Sequence, residues 1–168
     1  MPPARGNDVA LRPILDADLD VLFDQMREPE SVRMAAFTAA DPDDRAAFDA
    51  HMARVRARPD VTMRAITAGG RLVGSIASFR VGGDTEVTYW IDRACWGQGI
   101  AGRALALLLG TVRTRPLLAR AASDNVGSIR VLTRAGFVVV GTELSYANAR
   151  DAEIVETILR LDGPSPTA

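Results

Sequence analysis

Between Thr85 and Leu105 a β-branched and aromatic run ending Tyr89-Trp90-Ile91 passes through Asp92 to Trp96 into Gly97-Gln98-Gly99-Ile100-Ala101-Gly102, then into Arg103-Ala104-Leu105. A strand, a glycine-rich turn and a helix in that order constrain the fold more than any other part of the chain. Small residues at Gly97, Gly99, Ala101 and Gly102 let main chain come close to a ligand, and the first amides of a helix have no intrahelical acceptor. The helix dipole adds roughly half a positive charge at the same end, so the turn reads as a pyrophosphate cradle.

Two phosphate ligands could occupy such a cradle. Gly97-x-Gly99-x-x-Gly102 matches the dinucleotide fingerprint literally, and Asp124 stands about twenty residues on, where an acid for the ribose would be. Against that reading, Asp92 to Trp96 separate the strand from the glycines. After residue 102 there is also room for only about two further strand-helix units of ~30 residues each, too few for a doubly wound sheet.

Periodicity along the chain gives alternating element types with no repeat. Val9 to Arg12 reads as a strand stopped by Pro13, and Asp16 as the cap of a helix to about Glu28, with Leu19, Leu22, Phe23 and Met26 on one face. Glu30 to Ala40, bounded by Pro29 and Pro42, reads as irregular. A helix from Pro42 or Asp43 to Ala57 precedes three alternating strands, Val61 to Thr67, Arg71 to Arg80 and Thr85 to Ile91, with turns at Gly69-Gly70 and Gly82-Gly83-Asp84. The cradle helix is expected to reach Thr114, followed by a strand Leu117 to Ala122, a helix Asn125 to Ala135, and closing strands Val138 to Leu144 and Ile154 to Leu161. Strands first, then strand-helix-strand-helix-strand, predicts an α+β sheet of mixed direction.

Trp96-Gly97-Gln98-Gly99-Ile100-Ala101 resembles the acyl-CoA signature of the GNAT superfamily of N-acetyltransferases, Gln/Arg-x-x-Gly-x-Gly/Ala, with Trp96 where Gln or Arg is commoner. That departure is similar to the branch of ribosomal-protein N-terminal (alanine/serine) acetyltransferases, in which a strand ending Tyr-Trp-Ile leads into Trp-Gly-x-Gly. Asn125-Val126-Gly127-Ser128, continuing through Ala135-Gly136-Phe137, resembles the Asn-x-x-Ser helix of that branch. The resemblance spans Leu11 to Leu161 and implies a single domain over residues 8–162, with 163–168 as a flexible tail. It implies a mixed sheet of about seven strands flanked by four helices, with the strands at Thr85 to Ile91 and Leu117 to Ala122 parallel and splayed. Acetyl-CoA would be the co-substrate, with no metal. Its pantetheine would lie in the V against main-chain groups of Trp90, Ile91 and Asp92, and its pyrophosphate on Gln98, Gly99, Ile100, Ala101, Gly102 and Arg103.

Composition narrows the alternatives. Cys95 and His51 are the only residues of their types, so the sequence supports neither a zinc cluster nor a nucleophile with a histidine partner. Cys95 reads as a small filler and His51 as part of a solvated helix face. All 20 basic side chains are arginine against 21 acids, a balance without the basic field that nucleic acid requires. No apolar run approaches a membrane span and residues 1–8 lack an export core, so a cytoplasmic location is expected. A homodimer is compatible with these features.

Acyl transfer to an amine needs an unprotonated nucleophile. At neutral pH deprotonation costs about 4.6 kcal/mol for a lysine amine and about 1.4 kcal/mol for an α-amine near pKa 8, so a modest base suffices for a protein N-terminus or an activated small-molecule amine. The resemblance points to Glu86, on the face shared with Thr88 and Trp90, as that base; the alternative is a glutamate paired with an arginine. Glu143, Asp151 and Glu153 are weaker candidates. Asn125 is implied as a pantetheine contact and Ser128 as the partner of the leaving thiolate, although both also suit helix capping. Tyr146 is the runner-up donor. Acceptor binding is expected from Met26 to Phe48 and from the loop Ser145 to Ala152, with Met34, Phe37 and Tyr146 as contacts. A non-catalytic acyl-CoA-binding module and a nicotinamide-dinucleotide oxidoreductase stand as the alternatives.

Overall fold

The computed structural model describes residues 8–163. Seven strands form one sheet in the order β1-β2-β3-β4-β5-β7-β6. They are β1 (Val9–Pro13), β2 (Thr62–Ala68), β3 (Arg71–Val81), β4 (Asp84–Ile91), β5 (Leu117–Ala122), β6 (Val138–Ala147) and β7 (Ala152–Leu161). Every neighbouring pair is antiparallel except β4 and β5. The expected mixed sheet is therefore present, whereas a doubly wound parallel sheet is not. The dinucleotide-fold reading loses its scaffold with it.

Among the described residues five α-helices, not four, flank the sheet: α1 (Leu19–Met26), α2 (Pro29–Ala35), α3 (Arg45–Ala57), α4 (Ile100–Thr111) and α5 (Val126–Arg134). The additional one is α2, in the segment expected to be irregular. Pro29 sits at its first position, and the Glu28 carboxylate accepts from the amides of Glu30 at 3.1 Å and Ser31 at 2.7 Å and from the Ser31 hydroxyl at 2.6 Å. A proline read as a boundary is here a helix start, since its missing N–H would have had no acceptor in the first turn. Helix α4 stops at Thr111 rather than Thr114, short of Arg115-Pro116, where the proline ring disfavours helical backbone at the residue before it. Strands β6 and β7 run to a turn at Asn148–Arg150, so Tyr146 lies in β6 and not in a loop.

Helices α4 and α5 cover one face of the sheet over Ile66, Val73, Ile76, Val87, Leu117, Ala119 and Leu159, into which they insert Ile100, Leu105, Leu108 and Leu132. On the other face α1 and α3 pack Leu22 and Met52 against Ile14 and Ala65. The end of α5 explains the Ala135-Gly136-Phe137 signature: Gly136 takes φ +104°, and the Phe137 amide donates back to the Leu132 carbonyl at 3.0 Å, which seats Phe137 in the core. The tail residues 164–168 and the leading residues 1–7 lie outside the described part. No helix among the described residues is long and apolar enough to cross a membrane.

Candidate active site

Strands β4 and β5 are in register only at Thr85 with Leu117 and Glu86 with Leu118. Beyond that point they part, which leaves main-chain groups of both strands without a strand partner and opens a fork. A groove of about 660 Å³ runs from this fork, with Tyr89, Trp90 and Ile91 of β4 and Asn125 to Ser128 of α5 in its walls, to the turn Gly97–Gly102.

The turn is built to be open. Gly97 and Gly99 adopt φ +77° and +76°, and a Cβ added at either would meet no heavy atom within 4 Å. The left-handed backbone selects glycine, and the space beside it leaves a ligand free to approach. Gly99 caps α4 without a side-chain hydrogen bond. The Arg103 amide closes the first helical turn on the Gly99 carbonyl at 3.2 Å, so the donors left for an anion are those before it. Trp96 has a local reason to replace Gln or Arg. Its indole Nε1 donates to the Ile91 carbonyl at 2.9 Å, and the Arg93 guanidinium lies over its ring at 4.6 Å, which ties the turn to the end of β4.

The route of main-chain bonding from β4 differs from the expected one. The Asp92 amide donates to Val73 of β3 at 2.8 Å, and the Asp92 carboxylate accepts from Ala94. The Trp90 carbonyl lies so close to β3 that a Cβ on Gly74 would stand 2.0 Å from it. Trp90 and Asp92 thus direct main chain away from the fork, and strand alternation turns that of Tyr89 and Ile91 toward it. The Trp90 side chain remains in the groove wall, its Nε1 fixed to the Gln25 carbonyl of α1 at 3.0 Å.

On α5, the Asn125 side chain accepts from the Ser128 amide at 3.2 Å, so it is a cap and a groove residue at once. The Ser128 hydroxyl lies 2.8 Å from the hydroxyl of Tyr89. Burial raises the Tyr89 phenol to about 12, with the Ser128 contact acting in the opposite direction. Sequence reasoning passed over Tyr89, because alternation along β4 drew attention to the face carrying Glu86 and Trp90. Arg130 and Arg134 line the groove one helical turn apart, and like Arg103 they take part in none of the ion pairs among the described residues. Asp124, the would-be ribose acid, is held by Arg150 through bonds of 2.8 and 3.1 Å, and the Arg150 hydrogen bond holds its pKa below the ordinary carboxylate value.

The other residues named from sequence divide. Met34 lines the groove together with Ser31 and Ala35, whereas Phe37 packs against a small alanine cluster of Ala36, Ala122 and Ala147. Tyr146 is exposed and its hydroxyl bonds Asp151. Gln98 is exposed and outside the groove wall. Glu86 stands at the fork, paired with the Arg120 Nε at 2.9 Å; Glu156 and Glu143 reach the same guanidinium at 3.1 and 3.2 Å. Cys95 is buried beside the Gly97–Gly102 turn, and burial pushes its thiol pKa up, which makes it a poor nucleophile. Among the described residues no group of His, Cys, Asp and Glu is arranged to hold a metal ion.

A family model described as an acetyltransferase (GNAT) domain matches residues 8–138. The chain belongs to the GNAT acetyltransferase family. Solved acetyltransferase structures share its fold over most of their lengths. A phosphinothricin acetyltransferase from Sinorhizobium meliloti in complex with AcCoA is 17% identical, with 96% of this chain and 92% of that one covered and a TM-score of 0.79. RimJ of Mycobacterium smegmatis in complex with CoA-disulfide is 20% identical over 95% and 85%, with a TM-score of 0.78. RimL, a ribosomal L7/L12 alpha-N-protein acetyltransferase in complex with coenzyme A, is 16% identical over 96% and 97%, with a TM-score of 0.77. No curated protein matches the chain in sequence. The parallel, splayed β4/β5 pair is thus the one expected of a GNAT domain from the sequence.

Proposed function

We propose that this GNAT domain uses acetyl-CoA to acetylate a primary amine, either a protein N-terminus or a small-molecule amine, by direct attack with both substrates bound. The observation that carries the proposal is the continuous groove from the open glycine turn to the fork. The chain's residues suit the co-substrate chemically: unpaired amides before Arg103 and the guanidinia of Arg130 and Arg134 for phosphates, and apolar walls at Ile91, Ile100 and Val131 for the pantetheine. When bound, acetyl-CoA supplies the activated acyl group.

The residues around the fork have distinct tasks in this reading. Asn125 orients the pantetheine while capping α5, and Ser128 donates a hydrogen bond to the departing sulfur. Tyr89 and Ile91 offer main-chain groups at the parted strand edge. Glu86 receives the proton of the amine, directly or through water. One guanidinium shared among Glu86, Glu143 and Glu156 leaves carboxylate charge in excess, which favours a cationic amine on that side of the sheet. Met34, Ser31 and Ala35 of α2 bound the acceptor end. RimL, a ribosomal L7/L12 alpha-N-protein acetyltransferase among the fold relatives, supports a protein N-terminus as the first acceptor class to test.

Calorimetric titration with acetyl-CoA, followed by a mass-spectrometric screen of N-terminal peptides and small amines, tests the proposal. Binding with acetyl transfer supports it. Binding without transfer to any amine would favour a non-catalytic acyl-CoA module, and no binding would remove the assignment altogether.

A further inference from the structure

We propose that Tyr89 is a positioning residue for Ser128: its hydroxyl donates to the Ser128 oxygen and thereby commits the serine's single proton to the groove, where the leaving sulfur forms. The inference rests on the acetyltransfer reading and extends it to a residue whose hydroxyl has no evident structural task. The two hydroxyls are 2.8 Å apart, and both side chains line the groove. A serine hydroxyl carries one proton and rotates freely, so a serine alone at a helix start can turn back to a main-chain carbonyl. Occupying its lone pairs with a fixed donor changes that balance. Tyr89 can serve as such a donor, because it projects from the sheet with its ring half-buried against the core and its hydroxyl at Ser128 of α5.

The tyrosine proton has two acceptors within reach, the Ser128 hydroxyl oxygen at 2.8 Å and the Ser128 carbonyl at 3.3 Å. Either hydroxyl can donate in the 2.8 Å contact; because the carbonyl lies inside α5, where the amide four residues on is its ordinary donor, the tyrosine proton is assigned to the Ser128 hydroxyl oxygen. The direction of donation is then Tyr89 to Ser128 to sulfur. No proton is transferred along it. With the phenol pushed up to about 12, moving a proton from Tyr89 to a thiolate whose acid has a pKa near 8.5 is uphill by roughly three to four units. As the carbon–sulfur bond breaks, its electron pair stays on sulfur, and the charge is met by a hydrogen bond strengthened by the donor behind it.

The test uses coenzyme A itself as the probe and needs no acceptor. The thiol pKa of bound CoA is read from ultraviolet thiolate absorbance against a desulfo-CoA blank, for the parent, Tyr89→Phe, Ser128→Ala and the double variant, with thermal melting as the check on folding. The parent is expected to lower the bound thiol pKa below that of free CoA. Ser128→Ala should remove that shift, and Tyr89→Phe should remove part of it, about half a unit to one unit. In the Ser128→Ala background Tyr89→Phe should add nothing. With an acceptor in hand, Tyr89→Phe should lower kcat about ten-fold and leave KM for acetyl-CoA within about two-fold. A bound thiol pKa unmoved by Tyr89→Phe, or moved equally with and without Ser128, overturns the inference while the acetyltransfer reading stands. Failure of the parent to bind CoA overturns both.

Discussion

Arg120 of β5 donates from Nε to Glu86 of β4 at 2.9 Å, from two residues beyond Leu118, with which Glu86 forms the last pair still in register between the two strands. The ion pair marks where the sheet stops being continuous and the groove begins. It fixes the Glu86 carboxylate at the fork while Glu156, itself buried, holds the guanidinium from β7. A carboxylate so held has little freedom to rotate, and strand alternation puts it on the face of β4 opposite Tyr89.

Replacing Glu86 by glutamine tests its role through pH. Glutamine keeps the shape and can still meet Arg120, but it takes up no proton. Turnover should fall, by about a hundred-fold if Glu86 is the principal base, and most steeply at low pH, where the amine is protonated and needs assistance. Parallel kcat/KM profiles for the variant and the parent across pH 6 to 9, a window of roughly this width around the α-amine pKa, would assign Glu86 to the ion pair alone.

Gly99→Asp addresses the cradle. In the proposed binding mode a carboxylate there would face the phosphates, and a side chain at φ +76° costs on the order of 1–2 kcal/mol in backbone strain. Acetyl-CoA affinity measured by calorimetry should fall at least about a hundred-fold, roughly the 2.7 kcal/mol expected when an attractive helix end meets like charge in a confined site. The open space around the position predicts that the melting temperature moves only by the strain. Unchanged affinity would remove the cradle assignment.

Much of this architecture was legible in the chain. The strand-turn-helix at Tyr89 to Leu105 and the Asn-x-x-Ser helix carry local signals, glycine at left-handed positions and a side-chain cap, which depend little on the rest of the fold. Helix α2 was hidden because Pro29 has opposite meanings at a helix start and inside a helix, and only the Glu28 cap distinguishes them. Tyr89 was hidden for a different reason. Its partner is 39 residues away on another element, and alternation along β4 gives a face without saying which helix covers it. The main-chain route from β4 depends on the close approach of Trp90 to Gly74, a tertiary contact with no periodic trace in the sequence.

That approach makes Gly74 a strong structural test. A methyl group 2.0 Å from the Trp90 carbonyl and 3.2 Å from the Ile91 Cα cannot be accommodated without moving β3 from β4. Gly74→Ala should destabilise the domain by about 2 kcal/mol or more, because the obstacle is main chain and not a flexible side-chain end. The displaced strand end also carries the edge at Tyr89 and Ile91, so CoA affinity should fall with stability, in contrast to Gly99→Asp. Chemical denaturation and calorimetry on both variants would separate the two effects.

Asp18 provides a pH test of stability away from the groove. Its carboxylate is buried at the entry to α1, bonded by Arg12 at 2.7 and 2.9 Å and by the Leu15 amide at 2.7 Å. The Arg12 hydrogen bond, followed by that of the Leu15 amide, outweighs desolvation and holds its pKa below the ordinary value of 3.8. A carboxylate depressed in the folded state contributes stability that is fully present above its unfolded pKa near 3.9 and is lost as pH falls through the folded value. Unfolding free energy should therefore be flat in this contribution from neutral pH down to about pH 4 and decline below it. Asp18→Asn should cost about 1.5–3 kcal/mol at neutral pH, the usual worth of hydrogen bonds to a charged group, and should flatten the decline below pH 4. Urea denaturation at neutral pH and at several points below pH 4 reads both effects, and an unaltered acid slope in the variant would assign the loss of stability to other carboxylates.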